Sequence, residues 1–321
     1  MTSSEGRGDA PPASGRRVFL LVNTHRPKAC EVSAQFCEAL TSAGITVRFL
    51  AEDAEALGTV CDGLVEVVPP SPEASAGCEL VVVVGGDGTI LRAAELARES
   101  KTPVLGINLG HVGFLAEADP EDVERTIAAI VDRRYRAEER LTVDITVYRD
   151  KELIASIWAL NEASVEKAAR ERMLEVVVEI DGRPLSRWGC DGVVCSTPTG
   201  STAYNFSAGG PVVWPEVEAL LLVPISAHAL FARPMVVAPT SVLAVELLAG
   251  SEVPGVLWCD GRRMVDLPPG ARIEVRRGHA PVRLARLHEA PFTDRLVAKF
   301  ELPVAGWRGS GERPRRRNDD A

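Results

Sequence analysis

A chain of 321 residues, 46% hydrophobic and 25% charged, has the composition of a globular protein with room for two modest domains, which excludes a disordered or membrane-embedded one. Its formal net charge of -9, with acids spread along the chain, excludes a dedicated nucleic-acid binder, so any polyanionic ligand must be held locally. Seven cysteines without a C-x-x-C pair read as reduced thiols of a cytoplasmic protein, not as a zinc site.

Residues 1–16 are polar, lack a signal-peptide core and read as a disordered tail, and no later stretch approaches 18 uninterrupted apolar residues, so no membrane span is expected. Arg16 to Asn23 reads as a buried strand, Pro27 to Ser42 as a helix, and ITVRFLA after Gly44 as a second strand. Residues 58–77 are irregular. Leu80 to Val84 is solidly apolar, as a parallel strand buried on both faces would be. TILRAAELARES has helical spacing with Thr89 placed to cap its start, PVLGINLG is a strand ending near Asn108, and EDVERTIAAIVDRRY is an amphipathic helix. Residues 17–138 therefore read as an open α/β layer.

From Leu141 the apolar period changes to two, and residues 139–286 read as a mostly β domain, a sandwich or a stacked pair of sheets. Its hairpins are expected at YRDKE, Asp181-Gly182 and Asp260-Gly261. The basic tail around Arg313 and Arg315 follows glycines, ends in acids and reads as solvated.

The strongest local feature is GGDGT, Gly85 to Thr89, at the carboxyl end of a buried strand, where open α/β sheets place ligands. Gly85, Gly86 and Gly88 with Thr89 form a candidate phosphate-binding loop, because glycines let backbone N–H groups approach an anion and a helix start adds a positive dipole end. Asp87 within it could accept a proton from a hydroxyl. A purely structural turn is the competing reading. No G-x-G-x-x-G and no Walker-type loop is present.

A second constellation is DGVVCSTPTGSTAYNFSAGGP, Asp191 to Pro211. Its hydroxyls, the Tyr204 ring and the glycines Gly200, Gly209 and Gly210 are the parts of a nucleotide pocket, a domain-capping loop being the alternative. His228 reads as a packed histidine. Ser201 with His228 lacks the G-x-S-x-G elbow of a hydrolase.

GGDGT, LGINLGHVGFL, ALNEAS, DGVVCSTPTGSTAYNFSAGGPVV, PISAHALFARPMVV and WCDGRR, in that order, resemble the NAD kinase family from about Arg17 to Gly306. The resemblance implies an N-terminal Rossmann-like α/β domain, a C-terminal mostly β domain, a segment 287–306 returning to the first domain, a tail at 307–321, and a homodimer or homotetramer. It implies transfer of a phosphoryl group from ATP, another triphosphate or inorganic polyphosphate to the 2′-hydroxyl of the adenosine ribose of NAD, with a divalent metal, Mg²⁺. Asp87 matches the general base and, with Gly88 and Arg92, contacts the substrate. Asn161, Glu162, Arg172, Asp191, Thr202, Ala203, Tyr204, Asn205, Phe206 and Ser207 match the NAD pocket. Where some members carry a lysine two positions before the aspartate, this chain has Gly189. A lipid or sugar kinase built on the same glycine loop, and a non-catalytic NAD-sensing module, are the alternatives.

Overall fold

The computed structural model describes residues 15–58, 64–108, 113–117, 122–168, 172–251, 253–288 and 291–304. The tails expected at 1–16 and 307–321 lie outside them except for Gly15 and Arg16. Arg16 is held in place: its guanidinium pairs with Glu79 and donates to the carbonyls of Ile130 and Val131.

The first half runs β1 (Arg17–Val22), α1 (Pro27–Ser42), β2 (Thr46–Leu50), α2 (Ala51–Leu57), β3 (Val65–Val68), β4 (Leu80–Val84), α3 (Asp87–Ala97), β5 (Val104–Ile107), α4 (Val123–Val131) and β6 (Arg136–Arg140). With β19 (Val282–Arg286) these strands form one sheet in the order β3-β2-β1-β4-β5-β19-β6, parallel except for β6. Strand side chains alternate between faces. Val18, Leu20 and Val22 pack with Phe36 and Leu40 of α1 and Ile130 of α4, while Phe19 and Leu21 pack with Ile90 and Ala94 of α3.

Two local expectations change. α3 begins at Asp87 with Gly86 at its N-cap, so Thr89 lies inside the first turn and caps nothing. A Cβ on Gly85 would stand 2.6 Å from Oγ1 of Thr89, so the bare glycine lets the threonine fold back onto the strand end. The irregular stretch holds the edge strand β3, whose Val65 and Val67 point outward, which hides the strand from a search for buried apolar residues.

The second half is a sandwich. β7 (Val143–Arg149), β8 (Glu152–Ala159), β10 (Leu174–Ile180), β11 (Arg183–Cys190), β15 (Leu243–Leu247) and β18 (Arg272–Arg277) form one sheet, ordered β11-β10-β15-β18-β7-β8. β9 (Glu162–Lys167), β12 (Gly192–Ser196), β13 (Leu220–Ile225), β14 (Met235–Val237), β16 (Gly255–Cys259) and β17 (Arg263–Leu267) form the other, ordered β14-β13-β12-β9-β16-β17. Val147, Val176 and Trp188 of the first sheet share a core with Val165, Val193, Leu222 and Leu257 of the second. The expected hairpin turns carry positive φ at Asp150, Lys151, Asp181, Gly182, Asp260 and Gly261, the left-handed pairs that match strand twist. β19, assigned by sequence to the end of the β-rich half, pairs with β5 and β6, so the chain re-enters the first sheet at Val282. Cys37 is disulfide-bonded, against the expectation of thiols throughout, while Cys30, Cys78, Cys190, Cys195 and Cys259 are free.

Candidate active site

Between β4 and α3 the chain turns through Gly85 and Gly86 and places Asp87 in the first helical turn, with no side-chain cap on the backbone N–H groups there. Gly86 and Gly88 face open space: a Cβ on either would meet nothing within 4 Å. Gly113 is the opposite case, since a Cβ there would stand 2.4 Å from Oδ1 of Asp87. That oxygen is buried and, among the described residues, has no hydrogen-bond partner. A buried acceptor without a donor is costly, about 1–3 kcal/mol. The aspartate is thus held beside an uncapped helix start with one oxygen unspent. Arg92, one turn on, pairs with Glu52, and burial followed by the nearby Arg262 charge lowers its pKa. The 109–112 part of the LGHV motif lies outside the described residues.

The Asn161–Glu162 corner joins β8 to β9. The Asp260 carboxylate accepts from the backbone N–H groups of Leu160 (3.0 Å) and Asn161 (2.6 Å), and Arg263 donates to it at 2.8 Å. Burial drives the pKa of Glu162 up to about 8, with Asp260 adding repulsion and the Tyr204 backbone N–H opposing it. Glu162 therefore holds its proton well above the usual carboxylate range, a protonated carboxyl being able to donate one hydrogen bond and accept another, and its Oε2 has no partner among the described residues.

The hydroxyl-rich loop leans on this corner. Thr197 Oγ1 donates to the Leu160 carbonyl at 2.6 Å and accepts from the Gly200 N–H at 3.1 Å. A Cβ on Gly200 would stand 2.0 Å from the Asn161 carbonyl oxygen, so only glycine fits. A 3-10 turn (Thr199–Thr202) and the short α5 (Tyr204–Ser207) follow. Asn205 is buried, with its amide nitrogen donating to the Pro211 carbonyl, and a Cβ on Gly210 would strike it. Asn205 is thus a positioner of the loop. Tyr204, Phe206 and Ser207 are exposed. Burial raises the pKa of the Tyr204 hydroxyl, and the charges of Glu166, Glu162 and Asp191 add to it, so Tyr204 lies over an acidic strip.

Lys167 pairs with Asp191 at 2.5 Å and, ahead of other causes, lowers its pKa. Gly189 bridges His228, and both line a cavity of about 620 Å³ with Arg172, Met173 and Glu175. Asp191, opposite Lys167, stands five residues along β9 from Glu162, roughly 17 Å at strand rise. The expected residues therefore fall into a cluster at the Asn161 corner and a second at the Lys167 end, with Tyr204 facing both.

Sequence reasoning missed Glu166, Lys167, Gly113 and the role of Asp260. Glu162, Ser164 and Glu166 alternate along β9 and so share a face, a signal present in the string E-A-S-V-E. The two halves meet along α3. Glu95 pairs with Arg262 and Arg263 at 3.2 Å each, Arg98 donates to the Ala280 carbonyl and Asp144, and the Arg98 and Arg263 guanidiniums lie over the Trp158 ring at 4.5 and 4.7 Å from its centre. Near Asp87, Phe114 contacts Phe292 and Phe300 of α6 (Phe292–Phe300), and Phe300 stacks on Phe206 at 4.6 Å. That ring chain joins the glycine-loop side to the hydroxyl-rich loop.

Among the described residues no three His, Cys, Asp or Glu side chains gather as a metal cage, and no helix is long and apolar enough to cross a membrane.

An α/β layer with a glycine loop and spare carboxylate, facing a β sandwich with a hydroxyl-rich pocket, defines a phosphotransferase acting on an alcohol group. Residues 18–135 match the ATP-NAD kinase N-terminal domain and residues 160–287 the ATP-NAD kinase C-terminal domain. The chain belongs to the NAD kinase family. It is 60% identical over 308 residues to the NAD kinase of Thermobifida fusca, covering 94% of each chain, and 62% identical to NAD kinase 2 of Streptomyces coelicolor, covering 92% of this chain and 97% of that one. An NAD kinase from Archaeoglobus fulgidus in complex with ATP aligns at a TM-score of 0.66 with 28% identity, over 89% of this chain and 98% of that one. Yeast NADH kinase complexed with NADH shares the fold at 0.82 with 23% identity, over 92% and 90%. The lipid- or sugar-kinase alternative has no support in these likenesses.

Proposed function

We infer that the chain phosphorylates NAD to NADP, with Asp87 as general base and ATP as phosphoryl donor. One observation carries the assignment: Oδ1 of Asp87, without a partner among the described residues, is buried beside an uncapped helix start and flanked by two glycines that face open space. The 2′-hydroxyl of the adenosine ribose gives its proton to Asp87 as its oxygen bonds to the terminal phosphorus of the donor, and the bond from that phosphorus to the leaving diphosphate oxygen breaks. Phosphoryl transfer asks the protein mainly for alignment and charge stabilisation. Gly85, Gly86, Gly88 and Thr89 present the phosphate-binding loop, with backbone N–H groups and the helix dipole facing the donor.

Asn161 and Glu162 hold ribose or amide groups of NAD, and a Glu162 carboxyl that keeps its proton to higher pH suits a ligand offering both donors and acceptors. Thr202, Ala203, Tyr204, Asn205, Phe206 and Ser207 shape the pocket, with Tyr204 against a ring. Arg92 stands beside the loop, and Asp191 and Arg172 bind the far end of the dinucleotide.

Mg²⁺ fits this residue set only as a passenger of the donor: among the described residues no cluster of carboxylates gathers to cage it, Asp87 keeps one buried oxygen without a partner, and Mg²⁺ is ordinarily held by one or two carboxylates together with substrate phosphates and water. When bound it offsets phosphate charge. Inorganic polyphosphate is a second donor of the same chemistry. Exposed Leu230 and Phe231 support a homodimer or homotetramer, and the reading places the enzyme in the cytoplasm.

The test is to incubate the pure chain with NAD, Mg²⁺ and ATP or polyphosphate and couple NADP to an NADP-specific dehydrogenase. Asp87→Asn is expected to retain NAD affinity and lose turnover by about a hundred- to ten-thousandfold. Full activity in that variant overturns the role of Asp87, and no NADP from the parent chain overturns the reaction.

A further inference from the structure

The Asp260-Gly261 turn between β16 and β17 asks nothing of its aspartate but tolerance of a left-handed φ, 55° at Asp260, which Asn or Gly would meet as well. Turn aspartates are mostly solvated. This one has a side chain only 2% exposed, and it reaches across to the corner between β8 and β9. Oδ1 accepts from the backbone N–H groups of Asn161 at 2.6 Å and Glu162 at 3.4 Å, and Oδ2 from that of Leu160 at 3.0 Å. Three consecutive peptide groups thus converge on one carboxylate. A hairpin turn alone gives no reason to bury a carboxylate, which is unfavourable unless donors surround it.

A fourth donor links the corner to the other half of the molecule. Nη2 of Arg263 donates to Oδ2 of Asp260 at 2.8 Å, while Nε of the same guanidinium stands 3.2 Å from Oε1 of Glu95, in the last turn of α3. Leu160, whose N–H Asp260 holds, is fully buried in the core that also contains Ile90 and Ala94 of α3. That helix starts at Asp87, roughly 12 Å of helical rise before Glu95. Asp260 therefore meets α3 by two routes, an ion pair through Arg263 and a packed side chain through Leu160.

We propose that Asp260 is a positioning residue for the acceptor: it fixes the backbone of the Asn161–Glu162 corner and, through Arg263 and Glu95, sets that corner in register with the helix that carries Asp87. The proposal rests on the reading of the corner as part of the NAD pocket. Phosphoryl transfer depends on holding acceptor, base and donor in one geometry, so a small displacement of corner against helix reduces turnover.

Variants of the full chain test it, with NAD binding followed by calorimetry and kcat by the coupled assay. Asp260→Asn suits the turn but sets an NH2 group against donors, and it should weaken NAD binding by about tenfold or more. Glu95→Gln leaves the hydrogen bonds of the corner in place. It should lower kcat roughly tenfold while the Kd for NAD stays within about twofold. Because both act through Arg263, the double variant should have a kcat close to that of the more impaired single one, not the product of the two losses. Asn161→Ala tests the underlying reading: an unchanged Kd there removes the corner from the pocket and takes the proposal with it. A weakened Kd in Asn161→Ala beside a parent-like Kd in folded Asp260→Asn overturns the positioning role alone. A purely structural role would lower Tm in Asp260→Asn and leave Kd and kcat untouched. That result, full turnover in Glu95→Gln, or multiplied losses in the double variant overturns the proposal. Should Asp260→Asn fail to fold, turnover in Glu95→Gln decides.

Discussion

Asp53 and Glu162 are buried carboxyls in opposite halves, each pushed up by burial: Asp53 to about 6, with the Val22 N–H opposing, and Glu162 to about 8. A folded-state pKa above the unfolded one means the native protein holds its proton longer, so stability is greatest below the unfolded pKa and declines as pH rises toward the folded one. For Asp53 that window is from 3.8 to about 6, and for Glu162 from 4.5 to about 8. The slope is at most about 1.4 kcal/mol per pH unit for one proton. Asp53→Asn and Glu162→Gln should therefore both melt above the parent chain at pH 8. The Asp53→Asn gain should open below pH 6 and then stay level, whereas the Glu162→Gln gain should keep growing to pH 8. Melting curves at pH 5, 6, 7 and 8 check this, and parallel curves for all three chains would refute it. Residue types put forward the candidate site, through glycines at the end of a buried strand and a hydroxyl-rich loop in the second half. Protonation was not legible: nothing in ALNEAS says that Glu162 lies beside Asp260, a hundred residues on.

At the scale of elements, periodicity found α1 to the residue and both Asp-Gly hairpins, since those features depend on neighbours along the chain. What it could not find were features made by distant partners: β3 with its outward valines, the glycine-driven start of α3, and the entry of β19 into the first sheet. α3 is where such partners matter most. Its first turn carries Asp87, its last turn carries Glu95 against Arg262 and Arg263, and just past its end Arg98 is 3% exposed between Asp144, the Ala280 carbonyl and Trp158. Removing that guanidinium strands an acceptor and a carboxylate at the junction. Charge-assisted hydrogen bonds are worth about 1.5–3 kcal/mol. Arg98→Met should lower stability by roughly that amount and raise the Michaelis constant for NAD, because the helix then no longer fixes the glycine loop against the Asn161 corner. Denaturant melts and initial rates test both, and an unchanged Michaelis constant in a destabilised variant would confine Arg98 to stability.

The whole molecule is one chain interrupted by an inserted domain, and the points of departure and return coincide. Thr142 Oγ1 donates to the Ala280 carbonyl at 2.7 Å, and the Gly278 N–H donates to the Thr142 carbonyl at 2.7 Å. Between those residues the chain builds the entire sandwich, and afterwards β19 slots between β5 and β6. A fragment ending at residue 141 therefore lacks an inner strand: β5 is left as an open edge, β6 has no partner, and Leu284, which packs with Phe19 and Val81, is gone. Unpaired edges favour association with other chains. We expect residues 15–141 alone to aggregate without a cooperative melt. A chain in which a short glycine-serine linker replaces residues 143–279 should instead restore the seven-stranded order, because the linker spans ends already within hydrogen-bond distance. It should melt cooperatively, though below the full chain, since Leu160 and Trp158 leave the core under α3. It should also fail to bind NAD, having lost Asn161, Glu162 and Tyr204. Circular dichroism melts of the two shortened chains decide the matter: a cooperative transition in the fragment ending at 141 would mean that β19 is dispensable to the sheet.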